Sequence, residues 1–253
     1  MNERLPPHRE YSLLHSEHRR DAIRSRLLSP QGHSYLGHAI LGAIDGGVTT
    51  FAIVSAAVGG GLSNTVVIMM GFANLLADAF SMAVSNYQGV KTQHGEVERA
   101  RRTEHRHIEH VPGGEREEIR QIFAAKGFEG ELLERVVDVI TSDRNVWVDT
   151  MLTEELGIQP VTHSPIRAAL STFAAFLLVG AVPLLPFLVP AGNGSDRFMV
   201  AAAAAAVAFF AVGAFRGRML EQPVVRGGLT TLAAGGAAAA VAYFVSWWLK
   251  QTL

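Results

Sequence analysis

Two carboxylates stand inside an apolar stretch of this chain. Residues 27–90 carry formal charge only at Asp45 and Asp78. A carboxylate inside a membrane-spanning helix costs about 2.5–3.5 kcal/mol on insertion scales, so it is rarely found there without a partner or a task. Two of them in consecutive helices predict an ion pathway. The alternative for Asp45 is a hydrogen bond to a neighbouring helix.

A stripe of polar and thioether side chains accompanies Asp78. Its members recur every four residues: Met70, Asn74, Asp78, Met82 and Asn86. Residues four apart lie on one face of a helix, and methionines in such a pattern are more often packing residues than ligands. Carboxylate, amide oxygen and thioether together suit a borderline transition ion, whereas Mg²⁺ and Ca²⁺ prefer all-oxygen sites. We therefore expect Asp45, Asn74, Asp78 and Met82 to line a path for such an ion.

A second group of possible ligands lies in the charged region that follows. Three pairs at helical spacing are Glu104 with His107, Glu115 with Glu118, and Met151 with Glu155. Residues three or four apart are neighbours on a helix surface. Carboxylate, imidazole and thioether groups from three helices can converge on Fe²⁺, Mn²⁺ or Zn²⁺. The alternative is that each pair belongs to a solvated helix face.

The elements that must position these residues are helices. Crossing the hydrocarbon layer takes roughly 20 apolar residues, so residues 27–90 allow two passes, separated by the glycines at 59–61. We predict helix 1 at 36–59 and helix 2 at 64–89. No proline occurs from there to residue 110, so helix 2 can extend well past the membrane until the Pro-Gly-Gly at 112–114 stops it.

Residues 91–162 have the composition of an inserted water-exposed domain. They contain ten Lys or Arg against fifteen Asp or Glu. Apolar periodicity and glycine stops predict three further helices, at 115–126, 131–141 and 143–156. We call residues 91–162 the insert.

Three more apolar runs follow the insert. Helix 3 is predicted within 168–195 and is expected to kink or end near residues 186–190, helix 4 at 198–215, and helix 5 at 227–249. Arginines in the N-terminal tail (1–35) and in the loop after helix 4 place both in the cytoplasm by the positive-inside rule. The insert is then cytoplasmic too, and the C-terminus lies outside.

The sequence therefore predicts an all-α membrane protein: a cytoplasmic tail (1–35), transmembrane helices 1 and 2 (36–90), a helical metal-binding cytoplasmic insert (91–162) and transmembrane helices 3–5 (163–253). The chain is 49% hydrophobic and contains no cysteine, so disulfides and thiolate metal sites are excluded. No basic run points to a nucleic-acid partner. The alanine-rich helices and the lack of cysteine favour a bacterial cytoplasmic membrane, with a vacuolar membrane as the alternative.

From about residue 36 to residue 249 the chain resembles the vacuolar iron transporter family. The resemblance is most specific at 45–50 (DGGVTT), 79–82 (AFSM) and 147–157 (WVDTMLTEELG). It implies a homodimer that exports Fe²⁺ or Mn²⁺ from the cytosol in exchange for protons, along a path between the first and second helices of both subunits. Metal ions, with Zn²⁺ and Co²⁺ as further candidates, are then substrates, and no prosthetic group is expected.

The resemblance also implies roles for individual residues. Asp45 stands at the family's helix-1 transport carboxylate and Met82 at its helix-2 thioether ligand. Positions where the family's insert binds metal are occupied by Glu104, Glu115, Glu118, Met151 and Glu155. Three positions depart from the family pattern: Asn74 and His107 replace glutamates, and Leu152 replaces a second methionine. Asp78, one turn from Asn74, is a candidate substitute for the missing glutamate.

Two other functions remain open at this point. Glu104 and His107 form a Glu-x-x-His motif, which is half of the signature of a di-iron carboxylate enzyme. The second copy that such a site needs is absent from the sequence. The other alternative is a membrane-anchored metal sensor, although an anchor gains nothing from acids inside its spans. A transporter, and not an enzyme, is the prediction.

Overall fold

The computed structural model describes residues 15–28, 35–159, 161–189 and 194–253. Every regular element within these residues is helical, and none of them forms a strand. The chain divides into two compact units, residues 1–34 and 35–253. In the first unit, helix α1 spans Arg20–Leu28. Residues 1–14 and 29–34 of the predicted cytoplasmic tail lie outside the described residues.

The second unit consists of five long helices with shorter ones between them. In chain order its helices are α2 (Leu36–Gly59), α3 (Asn64–His110), α4 (Pro112–Ala125), α5 (Gly130–Ser142), α6 (Arg144–Glu154), α7 (Pro165–Gly180), α8 (Leu185–Leu188), α9 (Gly194–Met219) and α10 (Val224–Thr252). Five segments of the described chain are long and apolar enough to cross a membrane: α2, α3, Pro165–Leu188, Asp196–Met219 and α10. This confirms the predicted number of spans.

The turn between α2 and α3 forms where the three glycines predict it. Gly61 has a φ of +71°, a conformation that glycine adopts without steric cost, and the Ser63 hydroxyl caps α3 by accepting from the Val66 amide. Helix α3 then runs for 47 residues, or about 70 Å at 1.5 Å per residue. The hydrocarbon layer is about 30 Å thick, so one unbroken helix joins the second span to the insert, as predicted.

Helix α2 lies at the centre of the long helices and contacts the other four. Its Gly46 faces the backbone of Phe176 on α7, where a β-carbon would lie 2.5 Å from the Phe176 carbonyl oxygen. Gly42 meets the Thr172 backbone in the same way. Gly42 and Gly46, a pair of small residues four apart that permits close helix approach, therefore contact α7 of the same chain.

Three helix boundaries differ from the prediction for identifiable reasons. Helix α4 begins at Pro112, a residue expected only to stop the preceding helix, because proline is well tolerated in the first turn, where its missing N–H has no intrahelical partner. Asp143 is the N-cap of α6, accepting from two backbone amides, and not its first residue. Helix α7 ends at Gly180, before a short 3₁₀ turn at Val182–Leu184.

The third span thus breaks earlier than the expected 186–190. Pro183 has no N–H to donate into an α-helix and lies in the 3₁₀ turn between α7 and α8. Pro190 lies outside the described residues. The fourth and fifth helices extend beyond the predicted 198–215 and 227–249 at both ends, because apolar composition marks the lipid-facing length of a helix and not its charged ends.

Candidate metal centre and transport path

The insert brings three predicted ligands together where α3 ends and α4 begins. Only Val111 separates the two helices, so the first turn of α4 folds back on the last turns of α3. One ligand atom each from Glu104, His107 and Glu115 lies within 4.8 Å of the others. The His107 Nδ1 is 3.2 Å from a Glu115 carboxylate oxygen. Among the described residues, this is the one such group of three.

Two of these carboxylates are buried. Glu104 is 3% exposed and Glu115 is 5% exposed. In each, the Oε2 atom is buried and has no hydrogen-bond partner in the described part of the protein. A buried polar atom without a partner costs about 1–3 kcal/mol, and more when it is charged. The pair therefore forms a site that a cation would stabilise.

A cavity of about 360 Å³ adjoins this group and brings in two more predicted ligands. Glu118 from α4 and Glu155, just after α6, line it together with Glu104 and His107. Four of the six predicted insert residues thus share one cavity, and Glu115 joins them through its contact with His107.

The acids at the cavity differ from other acids of the insert because, among the described residues, they form no ion pair with Arg or Lys. Elsewhere, acids pair with arginine or lysine: Asp149 with Arg101 at 2.5 Å, Asp138 with Arg116 at 2.6 Å, and Glu154 with Lys126. Within the described chain, Glu104, Glu118 and Glu155 form no ion pair with either residue type. These three acids are therefore available to bind another cation, although one arginine, Arg99, also lines the cavity.

The electrostatics of the cluster follow from this arrangement. Burial raises the pKa of Glu115 to about 7, with further contributions from the charges of Glu118 and Glu104, while His107 acts in the opposite direction. Burial also raises the pKa of Glu155, followed by repulsion from Glu118 and Glu104. Desolvation and like charges both disfavour the ionised form of a carboxyl group. Without a metal, the acids are thus held together against their mutual repulsion.

Met151 has different surroundings from the other predicted ligands. Its side chain is fully buried in an apolar cluster that includes Ile119, Trp147 and Val148, and it does not line the cavity. Its predicted role as a thioether ligand stays a prediction. Leu152, where the family has a second methionine, belongs to the same apolar cluster.

Sequence reasoning did not identify two further residues at the cavity, Glu96 and Arg99. Glu96 lies eight residues, or about two turns, before Glu104 on α3. That spacing places both on one face of a helix. It was the feature of the sequence from which Glu96 could have been predicted. An isolated charged residue on a long polar helix does not stand out from its neighbours without the fold.

The predicted transport residues lie on α2 and α3. Asp45 and Asp78 are both partly buried, and the Asp78 charge acts on Asp45. The Asn74 side-chain amide donates to an Asp78 carboxylate oxygen at 2.6 Å. Met82 packs against a cluster of apolar residues and is partly buried. The roles of Asp45, Asn74, Asp78 and Met82 in a shared path stay predictions.

The polar stripe on α3 continues into a histidine cluster that the sequence did not predict. The Asn86 amide donates to the Thr172 hydroxyl at 2.5 Å and lies 3.0 Å from His38 Nδ1. The His38 and His163 ring centroids are 5.7 Å apart, and His94 Nε2 lies 2.9 Å from the His163 carbonyl oxygen. These contacts join α2, α3 and the start of α7. The histidines are too far apart in sequence for spacing to reveal them.

Comparison with known proteins identifies the family of the chain. The model of the VIT family matches residues 36–247, a range that includes both spans with acids, the insert and the remaining spans. The chain belongs to the VIT family. This confirms the resemblance found in its motifs.

Individual relatives of this VIT-family chain carry the name vacuolar iron transporter. One from Toxoplasma gondii is 32% identical over 223 residues, covering 83% of this chain and 73% of its own. Vacuolar iron transporter 1 of Arabidopsis thaliana is 28% identical over 76% of this chain and 77% of its own. A Plasmodium falciparum relative is also 28% identical, over 72% and 70%. The family and these relatives are transporters, in agreement with the prediction that the chain is not an enzyme.

The raised pKa of Glu115 predicts a pH-dependent stability of the metal-free protein. The folded-state pKa of about 7 lies above the usual 4.5, so the folded state retains a proton that the unfolded state has lost between these values. The stabilisation is complete below about pH 4.5 and is lost as the pH rises through about 7. We expect the melting temperature of the full chain in detergent with chelator to fall over this range.

The matched variant for this prediction is Glu115→Gln, which cannot ionise and should flatten the profile. Glu131→Gln, an exposed acid on α5, serves as the control and should keep the slope. An equally steep fall in Glu115→Gln would show that other groups cause it.

Proposed function

We propose that this chain transports a divalent transition-metal ion, Fe²⁺ and/or Mn²⁺, out of the cytosol in exchange for protons. The observation that carries the proposal is the pair of buried carboxylates at Glu104 and Glu115, each with an oxygen that has no hydrogen-bond partner in the described part of the chain, beside a cavity of further acids. The family and the names of the relatives support metal transport. Five apolar helices support a location in the membrane.

We assign the insert the role of collecting metal from the cytosol. The available donors are carboxylate oxygens and one imidazole nitrogen, a set that suits Mn²⁺, Fe²⁺ and Zn²⁺. Because His107 replaces a family glutamate, this chain offers one negative charge fewer than its family pattern. The exposed Glu118 and Glu155 give a hydrated ion access to the cavity, and the buried Glu104 and Glu115 supply ligands that form no ion pair with Arg or Lys in the described part of the chain.

We assign the transport step to Asp45 and Asp78. Both acids belong to spans, and they interact electrostatically. A metal ion bound to deprotonated carboxylates is displaced when the oxygens take up protons, because both compete for the same lone pairs. Protonation from the outer side therefore releases the ion there, and the returning proton accounts for the exchange.

The orientation follows from the charges at the helix ends. Five spans place the loop between α9 and α10 on the same side as the insert, and this loop region carries Arg216, Arg218 and Arg226. The positive-inside rule assigns that side to the cytoplasm. The proposal accordingly places the N-terminus and the insert in the cytosol and the C-terminus outside.

The proposed working unit is a homodimer. Helix α3 leaves a broad apolar face uncovered by its own chain, including Met69 (65% exposed), Leu76 (57%) and Phe80 (67%). A second copy of the chain can cover that face alongside lipid. Such a contact would bring the second helices of two subunits together.

We predict that the double variant Glu104→Gln/Glu115→Gln binds metal more weakly than the unmodified chain. Removing both buried charges takes away the uncompensated ligands, so the affinity of the purified full chain for Mn²⁺ or Co²⁺ should fall at least about tenfold. Isothermal titration calorimetry in chelator-treated detergent solution measures it. The Glu131→Gln control should bind as the unmodified chain does, and an unchanged affinity in the double variant would rule out this site.

The transport path predicts that Asp45→Asn abolishes metal flux but not metal binding by the insert. Its amide cannot exchange a proton near neutral pH, so neither ion release nor proton return can occur at this position. Fe²⁺ or Mn²⁺ uptake into proteoliposomes with an imposed pH gradient measures the flux, and calorimetry on the same preparation measures the binding. Normal flux in Asp45→Asn would exclude the proposed mechanism.

Asp78 is predicted to replace the glutamate that the family has at position 74. We expect Asp78→Ala to lower flux at least about tenfold, the scale seen when partners of metal ligands are lost. Asn74→Glu/Asp78→Ala, which moves the carboxylate back by one helical turn, should restore much of it. Equal flux in Asp78→Ala and the unmodified chain would show that Asp45 acts without this partner.

A further inference from the structure

A second polar cavity lies where α9 ends and α10 begins, remote in sequence from the acids of the first two spans and the insert. It has a volume of about 470 Å³. Arg216 lines it from the end of α9, and Gln222, Arg226 and Thr230 line it from the turn and the first turns of α10. Neither the metal centre nor the transport path uses these residues.

The turn leaves hydrogen-bond donors at this cavity and satisfies the acceptors. The carbonyls of Gly217 and Arg218 accept from the amides of Gln222 and Glu221, which is the hydrogen-bond pattern of a Schellman motif. Helix α10 begins after Pro223 without a side-chain cap. The first amides of a helix have no intrahelical partner, and the helix dipole makes that end positive. The start of α10 therefore adds positive potential beside the arginines that line the cavity.

The two arginines add full charges that the protein does not neutralise. Within the described residues, neither Arg216 nor Arg226 forms an ion pair or a side-chain hydrogen bond. Glu221 lies in the same turn but pairs with neither. Arg guanidinium groups bind phosphate oxygens through paired, charge-assisted hydrogen bonds. Two of them around one cavity, beside helix amides, form an oxyanion site.

The surroundings indicate the source of the oxyanion. Exposed apolar side chains flank the turn on both helices, among them Phe215, Leu220 and Val225. Such residues at the end of two apolar spans lie at the boundary between hydrocarbon and headgroups. Basic cavities between spanning helices on the cytoplasmic side bind phosphate-bearing headgroups. A lipid phosphate reaches this depth, and its acyl chains can cover the flanking residues.

We propose that the cavity between Arg216 and Arg226 binds the phosphate of an anionic phospholipid headgroup, with the Gln222 side-chain amide as an additional donor. The site is independent of the metal centre. It would fix the α9–α10 end of the bundle to the leaflet on the insert side.

The test compares lipid binding by the full-length chain and two matched variants. Native mass spectrometry of the detergent-purified protein, titrated with phosphatidylglycerol or phosphatidylcholine, measures the apparent affinity. We expect phosphatidylglycerol to bind more tightly. At about 1 kcal/mol per cation near the surface, Arg216→Gln/Arg226→Gln should lose about thirtyfold in affinity. Arg218→Gln, which removes a neighbouring arginine that does not line the cavity, should keep the affinity of the unmodified chain.

Three outcomes would overturn the proposal. The first is that the double variant binds phosphatidylglycerol as tightly as the unmodified chain does. The second is that Arg218→Gln loses as much affinity as the double variant, which would indicate binding by a diffuse surface charge. Alternatively, soluble glycerol phosphate binds as tightly as the lipid and displaces it, which would make the ligand a soluble phosphate. If the double variant does not fold, Arg226→Gln alone carries the test, with a loss of about fivefold expected from one cation.

Discussion

Like charges held close together in places with little access to water are the constraint on which this structure depends. Glu104 and Glu115 each bury an oxygen that no described group bonds, and Asp45 and Asp78 are partly buried on two neighbouring apolar helices. Each arrangement costs folding free energy, since desolvation and repulsion both act against the ionised groups. The fold holds these acids in place through other contacts. Other acids of the insert, which lie on its exposed faces, form ion pairs with arginine.

The contacts that supply this stabilisation are apolar and lie behind the acids. In the insert, Ile119, Val137, Val148 and Met151 are fully buried in one cluster formed by α3–α6. Met151 thus contributes to the packing that holds α6 against the carboxylates, whatever its role toward metal. Among the spans, α2 is held by close backbone contact through Gly42 and Gly46. Van der Waals packing of this kind is the main attraction between helices in lipid.

Helix α3 connects the two sets of acids. It carries Asp78 in its apolar half and Glu104 in its polar half, with no break in the helix between them. The separation of 26 residues corresponds to about 39 Å along the axis. A bound ion cannot pass directly from one set to the other over that distance. The histidine cluster around Asn86, His38 and His163 lies between the two sets of acids along α3.

Most of the fold could be predicted from the sequence, because membrane spans and helix ends depend on the residues within them and next to them. Apolar length gave the number of spans, and the glycines at 59–61 gave the first turn. Pro112 misled the prediction for α4, because proline is tolerated in the first turn of a helix as well as beyond a helix end. The break in the third span was expected at 186–190 and lies instead at the 3₁₀ turn that contains Pro183. Helical spacing predicted the pairs within α3 and α4, but only the turn at Val111 shows that they meet. Glu96, Arg99 and the histidine cluster depend on tertiary contacts alone.

The occupied glycine face of α2 restricts how two copies of the chain can associate. Because Gly42 and Gly46 already contact α7, a second copy cannot use them for close approach. The adjacent face of α2, about 100° around the helix, carries Leu41, which is 53% exposed, and one turn later the partly buried Asp45. This side and the uncovered face of α3 are the surfaces left for the homodimer that we propose. An interface built from them would bring Asp45 of both subunits to a shared boundary, where each carboxylate lies within reach of an ion moving between the subunits.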